Sequence, residues 1–249
     1  MRHSQKIRFL GLPILFTFLL LAVQAQWEKK PYAQWSEKEA QKVLNDSPWA
    51  KTQVFSSPYE MFRSPVGNAP QPGRQGRAGD PTAGTPAQSI HINFRVRFLS
   101  ARPIRQAFSR LIELNQKGGL NEQAAAQLKQ FASGEFLEYV VVAVTCDAAE
   151  PGANTQEARS LLRTRGTADL KNNTFLEIKG GQRVFLQEFQ PPQQDGVGAR
   201  FIFPRVVDGK PFISPESDEI HFVAELSSAY KLDRRYKVKD MMFDGKLEY

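Results

Sequence analysis

Cys146 is the single thiol of the chain, and it follows Glu138–Thr145, a valine-rich and nearly uninterrupted apolar run. A cysteine at a strand end can act as a nucleophile when a histidine stands beside it. Outside the first few residues the chain offers only His91 and His221 for that role. No glycine-rich elbow surrounds Cys146, and free cysteines are among the most often buried residues. It therefore reads as a core side chain, with pairing between chains as its other possible use. One cysteine also excludes an internal disulfide framework and a Cys-rich zinc module.

His91 and His221 each fall on the polar face of a predicted strand. Glu219 and Glu225 share the face of His221, because their offsets from it are even. A histidine and carboxylates on one face can hold a metal, yet the short ligand spacing of a metal site is missing. No metal and no cofactor are expected. Glu177, Glu188, Glu219 and Glu225 all lie on predicted strands, and acid–base hydrolysis would need two of them at a defined separation. Nothing in their spacing selects a pair. Gly180-Gly181 and Gly196-Val197-Gly198 neither precede a Lys-Ser/Thr pair nor open a helix, so neither is a phosphate loop. The catalytic residues, if there are any, stay unknown at this level.

The densest chemistry lies near the N-terminus. Trp27, Trp35 and Trp49 are all the tryptophans of the protein, interleaved with Lys29, Lys30, Lys38, Lys42 and Lys51. Aromatics beside cations can form a binding face for a glycan, a peptide or an envelope protein. The alternative is that the indoles dock onto the main domain, since large aromatics usually bury. The run WEKKPYAQWSEKEA from Trp27 and the run VLNDSPWAK from Val43 to Lys51 resemble the opening of a group of uncharacterised exported proteins from soil-type bacteria. That resemblance covers about 25 residues of the chain. It implies bacterial export and carries no activity with it.

Several elements must position these residues. Ser36-Glu37-Lys38-Glu39 is a capping box, and it predicts a short helix to about Asn45. Residues 26–55 form this aromatic preamble. Residues 56–89 are rich in proline and glycine, have little to bury, and read as a flexible linker. An α+β domain is expected over 90–249. His91–Ser100 alternates as a half-buried strand. Helices follow at about Pro103–Asn115, Asn121–Ala132 and Thr155–Arg163, around a central strand at Glu138–Thr145. From Asn173 the pattern is all strand: Thr174–Lys179, Gln182–Phe189, Arg200–Val207, Glu219–Leu226, Arg235–Phe243 and Lys246–Tyr249. Asp208-Gly209 and Asp244-Gly245 supply hairpin turns. This order argues for a largely antiparallel sheet with two or three helices.

Residues 1–25 have the plan of a secretory signal peptide. Arg2, Lys6 and Arg8 precede the uncharged apolar run Phe9–Val23, and small residues at Val23 and Ala25 suit a cut between Ala25 and Gln26. The run has 15 residues, broken by Gly11 and Pro13. A spanning helix needs about 20, so no stable membrane span is expected after cleavage. Loss of three basic residues takes Lys+Arg from 33 to 30 against 26 Asp+Glu, and the formal charge from +7 to +4. Without a dense Lys/Arg cluster, that charge does not point to nucleic acid. The sequence thus reads as an exported bacterial envelope protein, periplasmic or extracellular, acting as a non-catalytic binding module. A secreted hydrolase using Glu, Asp and His on the sheet is the alternative, as is a carrier of an apolar ligand.

Overall fold

The computed structural model describes Trp27 and residues 30–57, 90–116, 118–150 and 154–249. The leader, its cut at Ala25–Gln26 and residues 58–89 of the expected linker lie outside the described residues. In chain order, α1 (Glu37–Asn45) and β1 (Ala50–Ser57) come first. Next are β2 (Ile90–Phe98), α2 (Arg102–Asn115), α3 (Glu122–Ser133) and β3 (Tyr139–Ala148), then α4 (Gln156–Thr164) and α5 (Thr167–Leu170). The remaining strands are β4 (Thr174–Ile178), β5 (Arg183–Phe185), β6 (Glu188–Gln190), β7 (Ala199–Pro204), β8 (Val206–Val207), β9 (Lys210–Pro211), β10 (Glu219–Glu225), β11 (Lys231–Lys237), β12 (Met242–Phe243) and β13 (Lys246–Leu247). The fold is α+β with antiparallel sheets.

Five strands form one sheet in the order β1-β2-β3-β7-β6, and four form a second in the order β11-β10-β4-β5. The sheets pack face to face. Phe98 meets Tyr236 with ring centroids 4.8 Å apart, and Phe201 meets Phe222 at 5.6 Å. These edge-on contacts are the arrangement that aromatic quadrupoles favour. β2 alternates, so Phe98 points between the sheets while Arg97 points the other way, under α1 and α2. There Arg97 donates to the carbonyl of Leu44 at the end of α1, and Phe108 of α2 lies over its guanidinium. β3 is therefore covered on both faces, which is why Val140–Val144 reads as an unbroken apolar run.

Local chemistry accounts for most boundaries. Ser36 Oγ accepts from the Glu39 amide and Glu39 Oε2 accepts from the Ser36 amide, closing the capping box that starts α1. Asn121 caps α3 by accepting from the Ala124 amide at 2.8 Å. Asp208-Gly209 and Asp244-Gly245 have φ of 52°, 74°, 48° and 74°, the left-handed pairs that suit two-residue hairpins. They join β8 to β9 and β12 to β13.

Several features depart from the sequence reading. The main domain has a further short helix, α5, and Arg200–Val207 divides into β7 and β8. The preamble does not stop at a helix: it runs on into β1, which pairs with β2 along its length, from Ala50 opposite Arg97 to Ser57 opposite Ile90. Gln182–Phe189 is not one strand. It divides into β5, which joins β4, and β6, which joins β7 in the other sheet. β11 begins at Lys231 rather than Arg235, and it gives way to a single 3-10 turn over Val238–Asp240 before β12.

One side chain closes the corner between the sheets. Gln53 of β1 donates to the Lys231 carbonyl at 2.9 Å, and its side-chain oxygen accepts from the Asp233 amide at 2.8 Å. Both belong to β11. A buried amide thus supplies, across the gap, the backbone pairing that the two edge strands do not make directly.

Candidate functional site

Trp27, Trp35 and Trp49 lie in the interior, at 4%, 0% and 0% exposure. Trp27 meets Trp35 edge-on at 5.2 Å and stacks on Phe243 of β12 at 6.3 Å, and Trp49 meets Phe243 at 6.0 Å. Their polar N–H groups are satisfied internally. Trp35 Nε1 donates to the Trp27 carbonyl and Trp49 Nε1 to the Glu248 carbonyl, both at 2.8 Å. These rings join the preamble to the last hairpin and present no indole face to solvent.

Cys146 is half-buried on the inter-sheet face of β3, opposite Phe94. Burial pushes its thiol up to about 11, against the opposing pull of Arg159. At neutral pH it carries its proton, so it lacks the thiolate that nucleophilic chemistry requires.

The two histidines lie on different sheets. His221 Nε2 stands 2.6 Å from Asp233 of β11, and its Nδ1 stands 3.7 Å from Glu177 of β4. Its partners come from neighbouring strands, while Glu219 pairs with Arg235 at 3.1 Å. Asp233 escaped the sequence reading because the highly charged start of β11 carries little apolar alternation. Glu188 accepts from the Gln190 side chain at 2.9 Å. His91 Nδ1 lies 2.8 Å from Ser56 Oγ, and its Nε2 lies 3.8 Å from Glu150. Ser56 and His91 are cross-strand register partners on an exposed strand face. Among the described residues no group of three or more His, Cys, Asp or Glu is arranged to hold a metal.

A cavity of about 220 Å³ opens beside the start of α2, the α3–β3 connection and β13. Arg102, Arg105, Arg205 and Lys246 line it together with Glu135 and Glu248. Arg105 is 1% exposed. It donates to the carbonyls of Phe131 at 3.0 Å and Leu99 at 3.3 Å, and also to those of Ser100 and Gly134. Burial brings its pKa down to about 10, so it remains a cation at neutral pH. Its donors are directed to main-chain oxygens, and it contributes charge rather than contact to the cavity. Arg205 lies over the Tyr249 ring at 3.9 Å and donates to the Tyr249 main-chain oxygen at 2.7 Å.

Arg102 stands 3.2 Å from Glu248 and 3.0 Å from Asp244. Its buried Nε and Nη2 make no hydrogen bond, so both carboxylates lie close to it but off the N–H axes. Glu248 also accepts from the Arg102 amide at 3.0 Å, at the first turn of α2. The Lys246 ammonium has no hydrogen-bond or ion-pair partner among the described residues. None of these positions stood out in the sequence, because the start of α2, the β7–β8 connection and the last hairpin are far apart in the chain and no local pattern links them.

A wider, more open depression of about 570 Å³ lies beside the β4–β5 turn, where Lys179 and Asp218 pair at 2.5 Å. Lys210, Asp208 and Glu216 also line it, so it carries both signs of charge. The space between the sheets, where an apolar ligand would sit, is filled by the rings of Phe98, Phe201, Phe203, Phe222 and Tyr236. No helix among the described residues is long and apolar enough to cross a membrane. No protein-family model, curated protein or solved structure matches this chain.

Proposed function

We propose that the chain is an exported bacterial envelope protein, periplasmic or extracellular, that acts as a non-catalytic binding module. Its binding site is the cation-lined cavity and not the tryptophans. One observation carries this reading: Arg102 and Arg105 from the start of α2, Arg205 from the β7–β8 connection and Lys246 from β13 converge on one cavity, with the Lys246 ammonium unpaired among the described residues. Such a set attracts an anionic group. The leader-like residues 1–25 and the resemblance of residues 27–51 to exported bacterial proteins support the location. The test is native mass spectrometry of the protein purified from its own host. A mature chain starting at Gln26 that carries added mass supports the reading. A bare chain that retains residues 1–25 overturns it.

A hydrolase is the second reading, favoured by the Ser56–His91–Glu150 arrangement. In that reading His91 takes the Ser56 proton as Ser56 Oγ attacks an ester carbonyl, with Glu150 orienting the ring. A fluorophosphonate probe tests it: labelling of Ser56 that is lost in His91→Gln supports it, and an unlabelled protein rejects it.

A further inference from the structure

We propose that the cavity at Arg205 and Lys246 is a carboxylate site, and that it takes a monocarboxylate joined to a small apolar body. The proposal rests on the reading of the chain as a binding module and names the ligand class. The one cation left without a partner sets the ligand's charge. Arg102 stands between Glu248 and Asp244, Arg105 is tied to main-chain carbonyls, and Arg205 donates to the main-chain oxygen of Tyr249. The Lys246 ammonium alone among these cations has no partner among the described residues, which matches a single negative charge. A phosphate dianion would exceed it beside the lining carboxylates Glu135 and Glu248.

The donors fit the same ligand. Arg102 is held beside Glu248 and Asp244, and Arg105 is tied to carbonyls. Contact with a ligand therefore falls to Lys246 and to the guanidinium edge of Arg205 that does not face Tyr249. A planar fork beside an ammonium suits the two oxygens of a carboxylate.

The wall is not polar throughout. Leu137 is 71% exposed at the rim, and Phe136 and Leu247 also line the cavity. A cavity of about 220 Å³ has room for a carboxylate and a short branched or aromatic side chain. A purpose-built apolar cavity of roughly 150 Å³ takes a benzene ring. A free short-chain acid and the C-terminal residue of a peptide present the same chemistry here.

Isothermal titration calorimetry of the chain from Gln26 onward separates these sources and tests the class. The probes are 4-methylpentanoate, N-acetyl-Ala-Leu, the primary amide of each, and inorganic phosphate. The acids bind, and the amides bind at least about tenfold more weakly, since a charged hydrogen bond is lost. Lys246→Gln, at an exposed position, weakens the acids by about tenfold with an unchanged melting temperature. Leu137→Ser weakens them without altering the preference for acid over amide. Tighter binding of N-acetyl-Ala-Leu than of 4-methylpentanoate assigns a peptide terminus, and the reverse order assigns a free acid. An amide that binds as well as its acid overturns the proposal, and so does phosphate binding in place of the acids. Phosphate binding would still leave the binding-module reading standing. A chain that binds no probe here yet carries a partner in native mass spectrometry overturns the carboxylate site alone.

Discussion

Arg97 donates its Nε proton to the main-chain carbonyl of Leu44 at 2.6 Å, tying the C-terminal end of α1 to the second strand of the sheet. Its other donors reach Thr145 Oγ1 at 3.0 Å and Asn45 Oδ1 at 3.1 Å. No carboxylate among the described residues hydrogen-bonds to it. Burial lowers its pKa to about 10, so it is still charged at neutral pH. The terminal carbonyls of a helix, at the negative end of its dipole, are a suitable acceptor for such a cation.

Replacing Arg97 by Met keeps the stem and removes the donors. Two effects oppose each other: the buried charge is relieved, and three acceptors are orphaned. Each orphaned buried group costs about 1–3 kcal/mol, so the loss wins. Arg97→Met is expected to lower stability by about 2 kcal/mol, read as a lower urea midpoint at constant slope. An unchanged midpoint would mean that the preamble is held by its indoles alone.

The capping box of α1 makes stability depend on acid. Lys30 and the Ser36 amide and hydroxyl hold Glu39 down to about 2, from its ordinary value of 4.5. A depressed carboxyl contributes stability above its unfolded pKa and loses it as pH falls through the folded one. The window runs from about 4.5 down to about 2. Wild type is expected to lose a larger share of its stability across that window than Glu39→Gln, which caps without titrating. Thermal melts monitored by tryptophan fluorescence between pH 5 and 2 make the comparison, and parallel curves would dismiss the effect.

Gly198 precedes β7 with φ of 103° and lies against β3. A methyl group there would strike the Val144 carbonyl and Thr145 Cγ2. Strain and collision add, so Gly198→Ala is expected to destabilise by about 2 kcal/mol or more. Gly196, with φ of 73° and open space around it, bears the conformational penalty without the collision. A larger fall in melting temperature for Gly198→Ala than for Gly196→Ala confirms the close approach, and equal falls refute it.

Cys146 is expected to react slowly with iodoacetamide at pH 7.5 and faster as pH rises toward its value of about 11. Mass spectrometry of quenched aliquots gives the rate. A rate that levels off below pH 8 would reveal an activated thiol and revive a redox or nucleophilic role for it.

The sequence disclosed the elements that carry their own periodicity. α1, α2 and α3 show a capping residue or an early proline, and β2 and β3 show alternation or a buried run. β1 escaped because Ala50–Ser57 has a weak apolar pattern, with Val54 left 56% exposed. It is a strand only because β2, across residues 58–89, offers it an edge. The break between β5 and β6 was hidden for a similar reason, since either sheet can accept an alternating segment. The cavity was illegible throughout, because Arg102, Arg205 and Lys246 meet through tertiary packing alone. The tryptophans were conspicuous in the sequence for their spacing, yet the structure uses them for packing.

The bond from Trp49 Nε1 to the Glu248 carbonyl sets an order of events during synthesis. β1 can find β2 as soon as residue 98 has emerged. The indole cluster cannot close until Phe243 and Glu248 exist, nearly 200 residues after Trp49. Until then the most apolar surface of the preamble stays uncovered on the growing chain. The last hairpin therefore acts as a latch, and truncation before Phe243 would uncover Trp27 and Trp49 together.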